Sequence, residues 1–275
     1  MRSTKIALGI LLILGFVGWS QIQLETQFLP KKIDETSGLE FYGDHFLTHN
    51  DSGDKPKLYV FNTAGELLLE TKVYGTVNRD WEDIAADACQ YFIADVGNNN
   101  GQRKDLTIYI LNSRLVLEDS IQLRYKDQKN FTKRKQHGFD AEALTVVGDS
   151  LMLFSKDRER QVTQLYVFPK VGGSYTLTSI GELPANSLIT AADYQDDLKL
   201  LALTGYNAQG EQFFYTMTDF SYHHLDKKNF KRYQLPLDKA QIEAVKIIDT
   251  NHFWITSEDE GNGYPRLFKL TLFSF

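Results

Sequence analysis

Along most of the chain, short runs rich in Val, Ile, Leu, Tyr, Phe and Thr are broken by Asp, Asn and Gly turns, and almost no segment places its apolar residues at a 3.6-residue period. This pattern predicts β-strands joined by tight turns. Aligned with one another, the runs form a recurring unit. It opens with a small or acidic residue before an aliphatic one, as in Thr36-Ser37-Gly38-Leu39, Trp81-Glu82-Asp83-Ile84, Ala141-Glu142-Ala143-Leu144, Thr190-Ala191-Ala192 and Ile242-Glu243-Ala244-Val245. A second run ends in polar turn residues, as at Phe46 to Asn50 and Tyr91 to Ala94. The third carries an aromatic signature, as in Leu58-Tyr59-Val60-Phe61 and Leu165-Tyr166-Val167-Phe168. A fourth, more polar run closes the unit at Leu67 to Val73, Ser120 to Tyr125 and Tyr175 to Ile180. Four antiparallel strands repeated about every 45 to 60 residues are the blades of a β-propeller.

Five units open in this way, and the fifth runs out of chain after its third strand. Residues 22 to 29 alternate like a strand and precede the first unit. The chain is therefore expected to be an all-β, five-bladed propeller in which this N-terminal strand completes the last blade, an arrangement that leaves no open sheet edge at the junction. The alternative is a six-bladed ring with a further blade in residues 112 to 140. That stretch carries Lys126, Lys129, Lys133, Arg134 and Lys135 and reads as a solvated loop.

The first twenty residues have a different character. Arg2 and Lys5 precede an apolar run from Ile6 to Trp19, and Gly18-Trp19-Ser20 offers small residues before Gln21, the layout of a secretory signal peptide. The run is shorter than the roughly 20 residues a spanning helix needs. The expected organisation is a signal peptide over residues 1–20 and one propeller domain over 21–275, exported to the periplasm, the cell surface or the medium, with no membrane span after cleavage. Cys89 is the only cysteine, so no disulfide and no CxxC site can form within one chain. With Ala88 and Tyr91 beside it, Cys89 reads as a small buried hydrophobe.

Charge narrows the partners. Lys and Arg total 30 against 36 Asp and Glu, a formal charge of −6 that becomes −8 once Arg2 and Lys5 are removed. The chain lacks the basic surplus of a nucleic-acid binder. It also lacks GxGxxG, GxxxxGK, HExxH and GxSxG motifs.

In a propeller the first strand of each blade lines the axis, so Ser37, Glu82, Glu142, Thr190 (or its neighbour Ala191) and Glu243 are expected to ring one mouth of the channel. Three glutamates about 7 Å apart at an effective dielectric of about 20 repel by about 7 kcal/mol in total, which a bound cation would offset. Oxygen ligands without His or Cys suit Ca²⁺ or Mg²⁺ rather than zinc. The structural alternative is that these glutamates bond the backbone of neighbouring blades or pair with Lys and Arg. The turns carrying Asp51, Asp95, Asp157 and Glu258 are expected to rise from the same face. Loops His49-Asn50-Asp51-Ser52-Gly53 and Asp95-Val96-Gly97-Asn98-Asn99-Asn100 are dense in side chains that cap their own turns. Their position also makes Asn50, Asp51, Asp95 and Asn98 candidates for substrate contact. His49 is the candidate general base; Arg79 and Arg103 are candidates for holding an anion.

The strings Thr36-Ser37-Gly38-Leu39, His49-Asn50-Asp51-Ser52-Gly53, Asp80-Trp81-Glu82-Asp83-Ile84 and Asp95-Val96-Gly97-Asn98-Asn99 resemble a group of exported bacterial propeller proteins likened to the SdiA-regulated and phytase-like propellers. The order Ser37, Glu82, Glu142, Thr190, Glu243 is more distantly similar to the calcium-activated nucleotidases, or apyrases. These are five-bladed propellers with an axial calcium held by serine and glutamate side chains at the blade openings. The resemblance implies an axial calcium here, with Thr190 standing in for serine; the nucleotide-binding residues of that family have no counterpart. Two functions follow. One is a binding module for a small anionic ligand, glycan, peptide or partner protein at the mouth. The other is a calcium-dependent hydrolase of a phosphoester, phosphoanhydride or lactone.

Overall fold

The computed structural model of the chain describes residues 21–237, 240–259, 261 and 263–273; the expected signal peptide lies outside the described residues. Strand β1 (Ile22–Phe28) precedes a one-turn 3₁₀ helix at Lys31–Ile33 and then the first blade, β2 (Thr36–Tyr42), β3 (His45–Asn50), β4 (Lys57–Phe61) and β5 (Leu67–Lys72). The second blade is β6 (Trp81–Ala86), β7 (Gln90–Asp95), β8 (Leu106–Asn112) and β9 (Leu117–Tyr125). The third holds β10 (Ala141–Val147), β11 (Ser150–Ser155) and β12 (Thr163–Pro169), followed by β13 (Gly173–Leu177) and β14 (Gly181–Leu183). The fourth is β15 (Leu188–Gln195), β16 (Leu200–Tyr206), β17 (Gln212–Met217) and β18 (Phe230–Gln234), and the fifth is β19 (Ile242–Ile247), β20 (His252–Ser257) and β21 (Arg266–Leu272). The sheets form a five-bladed ring, since each inner strand (β2, β6, β10, β15, β19) contacts the inner strands of the blades before and after it.

Burial explains the sequence pattern. Inner strands such as β6 and β10 are buried almost throughout, whereas the outer β5 and β18 are mostly exposed. Strands covered on both faces read as continuous apolar runs, and the outer ones as polar. Five apolar clusters fill the five seams between blades. Leu47, Leu58, Trp81 and Ile84 lie between the first and second, for example, and Leu29, Phe46, Phe61 and Leu267 between the fifth and first. No blade buries its own faces, so the ring is the smallest stable unit. As expected, β1 pairs antiparallel with β21, from Ile22 opposite Leu272 to Phe28 opposite Arg266. Residues 126–140 contain no strand, so no sixth blade forms.

Two expectations are corrected. The run from Tyr175 does not close the third blade; β13 pairs parallel with β9 as a fifth strand of the second blade, and the three-residue β14 closes the third. Leu177 is buried in the cluster shared by these blades and Tyr175 packs against Phe168, so burial draws the strand across the seam. Cys89 is exposed rather than buried, because Asp87 Oδ1 accepts from the N–H groups of Cys89 and Gln90 and turns the chain there.

Polar side chains link the inner strands in a closed circuit. Glu40 accepts from Ala86 N–H (3.1 Å), Thr145 from Tyr194 N–H (2.9 Å) and Asp193 from Ile247 N–H (2.8 Å). These acceptors lie three residues beyond Ser37, Glu142 and Thr190, so three of the five junctions use one register. Asp83 joins the second blade to the third and fourth, accepting from Leu144 N–H (2.8 Å) and Ala192 N–H (3.3 Å) as well as from Ile84 N–H (2.8 Å). Lys246 closes the circuit by donating to Glu40 (2.8 Å) and Asp193 (3.1 Å). Asp83→Ala strands buried N–H groups in three blades and is expected to lower unfolding free energy by about 2–5 kcal/mol. Urea melts read this directly, with the exposed Asp197→Ala as a control expected to melt like the parent.

Candidate metal centre

A β-bulge opens the inner strand of every blade. In the second to fifth blades the residue left unpaired is Glu82, Glu142, Thr190 and Glu243, between residues that pair normally with the second strand. In the first blade Ser37 still pairs with His49, and Gly38 and Leu39 follow it unpaired. A bulge re-aims a side chain out of the sheet's alternation, which places these residues at the same end of the ring. All five are buried.

Their bonding divides them. The Ser37 hydroxyl donates to the Glu82 carbonyl (2.5 Å), and the Thr190 hydroxyl to the Ile242 carbonyl (2.6 Å), so both hydroxyls bridge to the next blade. Glu142 forms an ion pair with the buried Lys156 and lies 3.4 Å from Arg158 Nη2. Glu243 accepts from the Gln241 side-chain amide. Glu82 differs, because its Oε1 is buried with no hydrogen-bond partner.

Glu82 also belongs to a group of carboxylates that its place in the repeat does not reveal. Asp51, Asp80 and Glu82 each offer a carboxylate oxygen within 4.8 Å of the others, on the loop after β3, the segment before β6 and the β6 bulge. Asn78 joins the first two segments: its side-chain amide donates to the carbonyls of Asn50 (3.1 Å) and Asp51 (2.8 Å), and its Oδ1 accepts from Trp81 N–H (3.2 Å). Asp80 is held by its backbone, with its N–H donating to Asp95 Oδ1 (3.1 Å) and its carbonyl accepting from Gly97 N–H (3.3 Å). A Cβ on Gly97 would overlap both Glu82 Oε1 and Asp80 Oδ2, so only glycine leaves the cradle open. Burial raises the carboxyls of Asp51, to about 7, and Asp80, to about 6, with help from neighbouring carboxylates that include Asp80 for Asp51 and Asp140 for Asp80. Glu82 is also raised well above its ordinary range, by burial and by Glu142, Asp51 and Asp80. The donor set is all carboxylate, with one orphaned buried oxygen, and fits a hard divalent cation such as Ca²⁺ or Mg²⁺.

The other candidate residues have structural partners. His49 is fully buried edge-to-face against Trp81, with Nδ1 3.1 Å from the Asn50 carbonyl, and burial lowers its pKa to about 4. It is thus a weakened base held away from solvent inside the first seam. Asn50 donates to the Lys32 carbonyl (2.9 Å) and to Asp54 (3.2 Å). Asn98 bonds Phe139, Asp140 and Arg103 and so stitches the second blade to the third. The donors of Arg103 go to Asp95, Gly97 and Asp105, which commits its guanidinium to the β7–β8 loop rather than to an external anion. Arg79 is exposed and paired with Asp105 (2.8 Å). Asp80, Asn78 and Lys156 escaped the sequence reading because they lie just outside the repeating strands; the Asn-Arg-Asp string before Trp81 was the available signal.

No protein-family model matches the sequence, and no curated protein matches it. In structure the chain is similar to the PQQ-bound form of an aldose sugar dehydrogenase from Streptomyces coelicolor, at 10% identity over 91% of this chain and 99% of that one, with a TM-score of 0.48. It is also similar to a protein described as exported from Bacteroides fragilis NCTC 9343, at 10% identity, 92% and 96% coverage and a TM-score of 0.44. A third likeness is to a structural-genomics protein of unknown function from Bacteroides thetaiotaomicron VPI-5482, at 11% identity, 89% and 70% coverage and a TM-score of 0.45. With TM-scores below 0.5, these likenesses add nothing to the blade count or the site. The class of this protein, a five-bladed β-propeller, rests on its own strand topology.

The raised carboxyls set a pH dependence. Between their ordinary range near 4 and their folded values of about 6 to 7, the folded state holds protons that the unfolded state has released, so stability is greatest on the acid side and falls as pH rises. In chelator, the thermal midpoint is expected to fall from pH 5 to pH 8. Asp80→Asn should flatten this fall, and a midpoint that instead rises with pH in the parent protein would contradict the arrangement.

Proposed function

We propose that this is an exported binding module that holds a divalent cation, with calcium the fitting ion, at the mouth of a five-bladed propeller, and uses it to anchor a ligand. The observation that carries the reading is the buried Glu82 Oε1, which has no hydrogen-bond partner and faces Gly97 beside Asp80, on a glutamate whose carboxylate also groups with those of Asp51 and Asp80. Three carboxylates supply fewer than the 6 to 8 oxygens that Ca²⁺ takes, so positions remain for water, a backbone carbonyl or ligand oxygens. Hydroxyls of a glycan and carboxylates or carbonyls of a peptide or partner protein have that chemistry. Among the described residues no helix is long and apolar enough to cross a membrane. Export is supported by the basic and apolar N-terminal pattern, and a weak calcium site suits an extracellular module.

Ca²⁺ is expected to raise the thermal midpoint by several degrees at concentrations well above its dissociation constant, with Mg²⁺ weaker. Glu82→Gln and Asp80→Asn are expected to abolish the rise. A midpoint indifferent to both ions would refute the site. Assays of phosphoesters, phosphoanhydrides and lactones are expected to show no turnover that depends on both Ca²⁺ and Glu82; such turnover would replace the binding module with the hydrolase.

A further inference from the structure

The three-glutamate ring does not present one symmetric charge to the axis. Glu82 faces Asp51 and Asp80, while Glu142 meets an ammonium supplied by the chain itself. Lys156 follows β11, and its backbone N–H is fixed by the Asp140 carbonyl (2.8 Å). Its side chain is 4% exposed, paired with an equally buried Glu142, and its Nζ lies 4.9 Å from the centre of the Tyr206 ring. Tyr206 belongs to the fourth blade, so one lysine of the third blade reaches across the neighbouring seam. Burial by itself would favour the loss of its proton, but Glu142, Glu243 and Tyr206 outweigh burial and hold the ammonium charged. Glu243, at the bulge of the fifth blade, opens at the same end of the ring, and its charge favours the protonated lysine.

We propose that Lys156 is the protein's resident axial cation, which takes the place of a second divalent ion by pairing with Glu142 at the end of the ring where Glu243 also opens, and so confines divalent binding to the Asp51–Asp80–Glu82 side of the mouth. The proposal rests on the reading that this side binds a divalent ion. A tethered ammonium loses no translational freedom on arriving, and it repels any divalent ion that approaches the two glutamates. Arg158 adds to the effect, since its Nε bonds Asp140 (2.9 Å) and its Nη2 lies beside Glu142. Without the Lys156 charge, the buried Glu142 would lose its nearer counter-charge and keep the 3.4 Å contact to Arg158, and a hard cation is the ligand its oxygens would accept.

Equilibrium dialysis with Ca²⁺ at pH 7 tests this by stoichiometry. The parent protein and Lys156→Arg are expected to bind one ion, Lys156→Gln two, and Lys156→Gln combined with Glu142→Gln one again. One ion on both the parent and a folded Lys156→Gln protein overturns the proposal. If Lys156→Gln folds only when Ca²⁺ is present, the ion has replaced the ammonium and the proposal stands. If it folds neither with Ca²⁺ nor after Glu142→Gln is added, Lys156 is needed for packing rather than charge, and the proposal fails. The two readings fail separately. No ion on the parent but one on Lys156→Gln removes the mouth site and keeps the role of Lys156, whereas one ion on both does the reverse.

Discussion

Around the axis of this ring, a few buried side-chain oxygens, three carboxylates and a hydroxyl, must accept hydrogen bonds from the backbone of the next blade. Seams filled with apolar side chains hold blades together but specify their relative height poorly. Asp83, Glu40, Thr145 and Asp193 supply that specification, because each bonds an N–H at a defined step of a neighbouring inner strand. A shift of one residue would leave both partners buried without a bond, at about 1–3 kcal/mol for each orphaned group. Lys246 then joins the first and last members of the circuit. The β1–β21 pairing closes the outer rim in the same blade, so inner and outer closures converge on the fifth blade.

The bulges depend on this alignment. Once the inner strands are held at a common height, an extra residue at the head of each one delivers its side chain to a common level. The second blade does this with the least internal compensation. Its Glu82 Oε1 has no hydrogen-bond partner among the described residues, and Gly97 and Asn78 leave room for Asp80 and Asp51 beside that glutamate. The third blade resolves the same problem with Lys156 and Arg158. One repeated backbone device thus carries two electrostatic outcomes, decided by which loop residue happens to follow the second strand.

Much of the fold was legible in the strand pattern, because strands buried on both faces must be apolar and the turns between them must be polar. The blade count and the closing role of residues 22 to 29 followed from that alone. The outer strand of the third blade did not, since Tyr175 and Leu177 are apolar whichever sheet they join, and only the seam they fill assigns them. Cys89 was misread because its apolar neighbours conceal an Asp87 turn. Of the candidate site, the five residues at the blade openings could be found by register. Asp80 could not be grouped with Asp51, as the two lie 29 positions apart on different blades and are brought together by the bonds of Asn78.

The sequence by itself determined a repeat of alternating exposure, and with it the propeller, the inner position of Ser37, Glu82, Glu142, Thr190 and Glu243, and the acidic character of the mouth. Only the tertiary structure decided which of those acids meets a cation within the chain. Register along a strand is a local property, written in the spacing of side chains. Charge compensation is a property of the three-dimensional neighbourhood: Lys156 lies fourteen positions beyond Glu142 yet touches it, whereas Glu82 is left with a buried oxygen that no neighbouring side chain satisfies.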